Sequence, residues 1–332
     1  MRQHLFQRRF GPRQRRFGPR QQVNPPVRPR EPTKILPHRW LISVPVWGAD
    51  FVRIFCDVAL PRLRAAASQL GEPVTLIAHT DSPAALESIE QLPIVTASVP
   101  AGKQWFNRMS AAHADVISRA RPGDIVVPLT ADMVISENTL SACRAIFSSG
   151  KKLVCCNATR AVAERPLPER PTSRELSEWA WNNRHGIIRN CTWPEGQIED
   201  VSRIYFARGP NVCCRLWLSH PLAVCIDGRQ LPFGPTIDCN LVVNFTPEEV
   251  HLVTSPDELT AIELSPMKKP QGSRDADEPP ARTDLGPLSA RYGKGLQLNP
   301  YIYRWILSQR IVIAGTGAGC GDEEVVRCLV SG

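Results

Sequence analysis

The sequence predicts an α/β protein built on a doubly wound, mostly parallel sheet covered by helices. Three observations carry that prediction. From Trp40 to Asn157, short apolar runs alternate with longer stretches of helical spacing, strand then helix, over about 120 residues. One of those runs, Ile125 to Leu129, has no polar alternation, which fits a strand buried on both faces. That run ends in a sudden polar step, Thr130-Ala131-Asp132. A carboxylate at the carboxyl end of such a strand stands at the mouth of the crevice where open α/β sheets bind ligands.

The elements follow in order. Trp40 to Val46 reads as the first buried strand, and Trp47-Gly48-Ala49-Asp50 as its strand-to-helix turn. Phe51 to Leu70 has helical spacing, with Pro61 placed to kink or divide it and Gly71 to end it. Pro73 to His79 is a second strand with Thr80 and Asp81 at its tip. Ser82 to Gln91 is a short helix with Pro83 in its first turn. Leu92 to Ala97 is a peripheral strand, and Gln104 to Arg119 a helix carrying Trp105, Met109, Ala112 and Val116. After the central strand come a helix over Glu137 to Phe147 and a strand over Lys152 to Asn157.

The second half is less regular. Residues 160 to 172 are Pro-rich and charged, which predicts a loop. Ser173 to His185 reads as a helix capped by Thr172 or Ser173 with Glu175 in its first turn, and Arg184 and His185 fall at its positive-tolerant end. Short strands are expected within 198 to 225, and a last strand over Glu258 to Leu264. Pro300 to Ile313 is read as a helix. The segment GTGAGCG at 315 to 321 looks like a phosphate loop, but it would follow a helix and is discounted on that ground. The organisation is therefore a tail at 1–38, an α/β half at 39–160, a second half of the same domain at 161–265, a flexible loop at 266–298 and a C-terminal helical segment at 299–332.

The net charge of +8 is a property of the tail. Residues 1 to 39 hold ten Arg and one Lys against one Glu, whereas the remainder holds 29 basic and 31 acidic residues. A nearly neutral body argues against a nucleic-acid footprint on the fold itself. The tail carries a tandem repeat, QRRFGPR at Gln7–Arg13 and Gln14–Arg20, and lacks the apolar content to fold alone. It could touch an anionic surface electrostatically. No apolar run reaches the length of a membrane span. The eleven Cys lack CxxC spacing, which predicts buried reduced thiols and a cytoplasmic protein rather than zinc. Neither GxGxxG after the first strand nor a P-loop is present.

Asp132 is the first candidate for chemistry, as a ligand to Mn²⁺ or Mg²⁺ or to a sugar-phosphate group. The bland alternative is a strand-end carboxylate held by backbone amides. A second carboxylate is needed for a metal site, and Asp238 in PTIDCNL is the candidate; it could bind the ion, orient an acceptor hydroxyl or act as a base, or close an Asx turn. Thr80 and Asp81 stand where a ribose or base would be met. His220 is a pyrophosphate donor, a metal ligand or a buried structural imidazole. Lys103 and Arg108 flank the start of a helix and could reach phosphates. Trp179 and Trp181 could stack on a sugar, or pack in the core. His251 reads as a structural residue.

The order LISVPVWG, VTLIAHTD, then a helix into GDIVVPLTADMVIS resembles the nucleotide-diphospho-sugar transferase superfamily, the GT-A type of glycosyltransferase. The resemblance covers roughly residues 40 to 265. It implies that Pro45, Val46 and Trp47 hold the nucleoside, that Thr80 and Asp81 contact base or ribose, and that the central strand ends in a DxD motif binding metal and diphosphate. Here the matching triplet is Thr130-Ala131-Asp132, so the first Asp is missing. Asp238 and His220 look like the acceptor-side carboxylate and histidine, the candidate catalytic pair. The implied partners are a nucleotide-diphosphate sugar and a saccharide or other small acceptor. The alternative is a non-catalytic GT-A-like binding protein with a degraded metal site.

Overall fold

The computed structural model describes residues 39–87, 92–101, 105–193, 203–216, 219–231, 241–267 and 299–331. Lys103, Asp238, the 1–38 tail and nearly all of the 266–298 loop lie outside the described residues. All the elements below belong to one unit, Lys34–Gly332.

The chain opens with β1 (Trp40–Val46), buried along its whole length. Both neighbours and both faces are covered. Trp40, Ile42, Val44 and Val46 join one core cluster, while Leu41 joins the other. This is the burial expected of a continuous apolar run in a covered sheet. Helix α1 (Ala49–Ile54) passes into a π-helical turn, Phe55–Ala59, and then into α2 (Leu60–Leu70). Pro61 sits in the first turn of α2. Its missing N–H breaks the ladder, which widens to a π turn and restarts. Gly71 closes α2 with φ of 69°.

Strand β2 (Val74–Thr80) pairs parallel with β1 on one side, and β3 (Ile94–Ala97) pairs parallel with β2 as the edge. Between them lies α3 (Ala84–Glu87). Helix α4 (Trp105–Arg119) then crosses to the other side of β1, where β4 (Ile125–Pro128) pairs parallel with it. All four residues of β4 are buried. After β4 come β5 (Met133–Ile135), α5 (Thr139–Ser148), β6 (Leu153–Cys156) and β7 (Ala158–Val162). The expected loop at 160 to 172 thus begins three residues late, because Arg160 to Val162 are in register with a partner strand.

Helix α6 (Ser173–Asn182) carries the expected capping box, with Thr172 and Glu175 satisfying each other's backbone N–H. It ends before His185. That residue instead caps α7 (Gly186–Asn190), its Nδ1 accepting from the Ile187 N–H. His185 therefore stands at the start of α7 rather than at the end of α6 where the sequence placed it. Next come β8 (Thr192–Trp193), β9 (Arg203–Arg208), β10 (Asn211–Leu216), β11 (His220–Cys225), β12 (Val250–Leu252) and β13 (Ala261–Ser265).

The main sheet has the order β12-β6-β11-β4-β1-β2-β3. Every pair is parallel except those of β11, which runs against both β4 and β6. The fold is therefore α/β, Rossmann-type and GT-A-like in arrangement, with one reversed strand in the sheet. A smaller sheet, β5-β13-β7, leans on the end of β4.

The C-terminal part corrects the sequence reading. Helix α8 (Pro300–Ser308) stops five residues earlier than expected, and Ile311–Ala314 form β14, antiparallel to β10. A short β-branched apolar run cannot be told from helix by periodicity alone, and a waiting strand edge decided it. β14 completes a four-stranded sheet, β14-β10-β9-β8. The glycine segment therefore does follow a strand and precedes α9 (Asp322–Ser331). Two of its donors are spent within the chain: Thr316 N–H donates to Asn211 Oδ1 at 2.9 Å, and Ala318 N–H to Thr316 Oγ1 at 3.3 Å.

Candidate functional site

The chain goes from β1 to β2 and β3 on one side and then returns to β4 on the other side of β1. The carboxyl ends of β1 and β4 therefore flank a topological switch point, the place where an open α/β sheet leaves a crevice. Thr130 to Met133 form the turn that leaves β4, closed by Met133 N–H to Thr130 O at 3.1 Å. Asp132 lies in that turn, half-buried, and its carbonyl accepts from Leu264 N–H at 2.8 Å.

The other strand end carries the expected nucleoside-facing residues. Pro45 and Val46 are buried, so their side chains belong to the core and only Trp47 emerges. Arg108 of α4 lies over the Trp47 ring, 4.9 Å from its centroid, and its Nε donates to Pro100 O at 3.2 Å. Asp81 is exposed at the end of β2, and its Oδ2 accepts from Gly48 N–H at 3.3 Å. Thr80 is buried and its hydroxyl accepts from Ser82 N–H. Trp47, Asp81 and Arg108 thus gather at one edge of the crevice.

Around Asp132 the fold assembles a charge cluster. Thr130 Oγ1 donates to Asp132 Oδ1 at 2.5 Å. Glu263 of β13 is in register with Arg160 of β7, and Arg160 Nε donates to Glu263 Oε2 at 2.7 Å. Arg203 of β9 donates to Ala158 O at 2.5 Å and lies close enough to Glu263 to act on it electrostatically, as does His220. The two carboxylates respond in opposite directions. Burial, then the charge of nearby Glu263, raises the Asp132 pKa; Arg160 and the Thr130 hydroxyl only partly offset this. Burial also presses upward on Glu263, but Arg160 and Arg203 outweigh it and hold the carboxyl below its ordinary range.

Beneath the crevice, α4 presents His113 to β1, with Ser43 Oγ 2.8 Å from its Nδ1. Burial first, then the neighbouring imidazoles His220 and His79, lower His113 to about 3, so this ring is neutral. His79 pairs through Nε2 with Asp115 at 2.9 Å. His220 begins β11 with Nε2 3.2 Å from Pro128 O, directly beside the end of β4. His251 pairs through Nε2 with Glu258 at 2.6 Å. Trp181 packs in the core against Tyr205, with ring centroids 5.6 Å apart, and Trp179 Nε1 donates to Pro166 O.

Of the residues singled out from sequence, His220 lies beside the end of β4 and Asp132 in the turn that leaves it, and Trp47, Asp81 and Arg108 gather at the end of β1 and β2. Asp238 and Lys103 lie outside the described residues. Glu263, Arg160 and Arg203 were missed. Each sits in a strand that pattern alone did not mark as near the crevice, and only the charged residue inside an apolar run, Glu263 in AIELS, offered a signal.

Among the described residues, the groups around Asp132 make a poor donor set for a divalent cation. Thr130, two residues before Asp132, spends its hydroxyl on the Asp132 carboxylate. Arg160 already places a permanent positive charge beside both Asp132 and Glu263. Among the described residues, no group of three or more His, Cys, Asp or Glu is placed to hold an ion.

No family model matches the sequence, and no curated protein matches it. Among solved structures, S. aureus TarS 1–349 is similar at 13% identity and a TM-score of 0.29, over 40% of this chain and 38% of that chain. The same fragment in complex with UDP-GlcNAc gives 14% identity and a TM-score of 0.28, over 40% and 37%. Rv0371c from Mycobacterium tuberculosis H37Rv gives 13% and 0.23, over 38% of this chain and 68% of that one. The chain thus spans less than two fifths of the TarS fragment's length, and the fold assignment rests on the sheet order described above.

Proposed function

We propose that the chain is a glycosyltransferase of GT-A type, moving a sugar from a nucleotide-diphosphate sugar to a small acceptor. The observation that carries this reading is the position of Asp132 at the carboxyl end of β4, across the switch point from Trp47, Asp81 and Arg108. The Trp47 ring offers a stacking face for a base, and Asp81 an acceptor for a ribose hydroxyl. Asp132 faces the sugar-diphosphate end, and His220 lies beside it at the start of β11. Asp238 remains the proposed acceptor-side base. Buried cysteine thiols, such as Cys143, Cys155 and Cys214, support a reducing, cytoplasmic setting.

A second reading, a non-catalytic binding protein on the same fold, is favoured by the Thr130 hydroxyl closing on Asp132. A thermal-shift screen with UDP-, GDP-, ADP- and CMP-linked sugars, followed by product analysis with the donor that binds, separates the two. Native-state binding raises the melting temperature by linkage. A stabilising donor that is turned over, by hydrolysis or transfer, and loses turnover in Asp132→Ala supports the transferase. Stabilisation without turnover supports the binding protein, and no stabilisation by any donor overturns both.

A further inference from the structure

Arg160 occupies an unusual place. It is fixed on β7 by register with Glu263, whose Oε2 takes both Nε, at 2.7 Å, and Nη2, at 2.5 Å. Asp132, whose carbonyl accepts from Leu264 N–H next to Glu263, is close enough to act on the guanidinium electrostatically. The Arg160 side chain stays 25% exposed, whereas Glu263 beneath it is 12% exposed. A guanidinium carries five N–H donors, and Glu263 takes those of Nε and Nη2 while part of the Arg160 side chain stays exposed. Arg203 adds a second permanent charge within reach of the same carboxylate. Arg160 thus brings a permanent positive charge to the carboxylates beside the end of the central strand.

We propose that Arg160, anchored by Glu263 beside Asp132, binds the donor diphosphate directly and does so without a divalent cation. The inference rests on the transferase reading above and names how that site meets its anion. Bidentate guanidinium contacts suit phosphate oxygens, and they are charge-assisted and strong in a partly dehydrated crevice.

The test is equilibrium binding of UDP, GDP, ADP and CMP and their sugar conjugates, in Mn²⁺ and in EDTA. Arg160→Gln alone leaves Glu263 buried and unpaired and can unfold the protein. The double variant Arg160→Gln/Glu263→Gln removes the charge pair together and keeps the fold testable. Binding to wild type is expected to be equal in both buffers, and to fall about ten- to a hundredfold in the double variant while its melting profile stays cooperative. Arg160→Lys retains the charge but not the fork and falls between them. Binding that requires Mn²⁺, or a folded double variant that binds like wild type, overturns the inference and leaves the transferase reading standing. Absence of binding to wild type in either buffer removes both.

Discussion

Two clusters in this chain combine buried carboxylates with two arginines, and they behave differently. At the C-terminal sheet, Asp322 is fully buried and accepts from Arg215 Nε at 2.7 Å and from Arg310 Nε and Nη2 at 3.0 and 2.7 Å. Arg215 also donates to Ser308 O at 2.6 Å, tying β10 to the end of α8. Burial presses the Asp322 pKa up, but the arginine hydrogen bonds overcome it and the net shift is down. At the crevice, Asp132 receives the Thr130 hydroxyl and sits beside Glu263, which takes the Arg160 fork, and its pKa is raised. The same residue types thus give a closed structural knot in one place and a poised, half-open carboxylate in the other. What separates them is which carboxylate the guanidinium N–H groups reach.

The largest expected effect lies in the closed cluster. Asp322→Asn leaves Arg215 buried without its counter-charge and should cost about 3–5 kcal/mol, read from urea unfolding. An unchanged midpoint would break the contrast, because it would make this cluster as expendable as an exposed pair. Next in size is the backbone beside it. Gly315 has φ of 60°, and an added Cβ would lie 2.6 Å from Asn211 Oδ1 and 2.8 Å from Pro210 O. Gly315→Ala should cost about 2–3 kcal/mol. Gly48, at the crevice with φ of 81° and open space around it, should cost about 1 kcal/mol as Gly48→Ala. Thermal denaturation of the two variants side by side checks the order; equal losses would show that the close approach at Gly315 relaxes freely.

The smallest effect is in the pH dependence, and its sign is the sharpest test. Asp322 has a lowered folded pKa, so its stabilisation is present above the unfolded value of about 3.9 and is lost as pH falls through the folded value. Asp132 has a raised folded pKa, so the folded state holds its proton more tightly and stability falls as pH rises from about 3.9 through the folded value. At pH 7, Asp132→Asn should therefore be as stable as wild type or more so, and the gap should close as pH drops toward 4. A variant that is less stable than wild type at pH 7 would mean that the Asp132 carboxylate is held by donors in the manner of Asp322.

Much of this was legible in the residues themselves. The continuous apolar run at Trp40–Val46, closed by a Gly turn, read as a covered strand and is one, and the Thr172/Glu175 capping box marked the start of α6 because both partners lie within one turn of each other. Pro61 announced the interruption of the first helix, although a π turn was the form it took. The site was half legible. Asp132, placed by a polar step after an apolar strand, stands at the mouth of the crevice, while Pro45 and Val46, singled out beside Trp47, turn their side chains into the core.

The sequence by itself determined the local alternation of strand and helix and the carboxylate at the end of β4, because both are set by residues within a few positions of one another. Tertiary structure alone decided three things. Ile311–Ala314 became a strand because β10 presented an unpaired edge. The GTGAGCG turn was shaped around Asn211, about 105 positions away in the chain. Arg160 met Glu263 across a parallel register spanning 103 positions. No local pattern encodes such pairings; they follow from the order in which strands find neighbours, and that order fixes which charge faces the crevice.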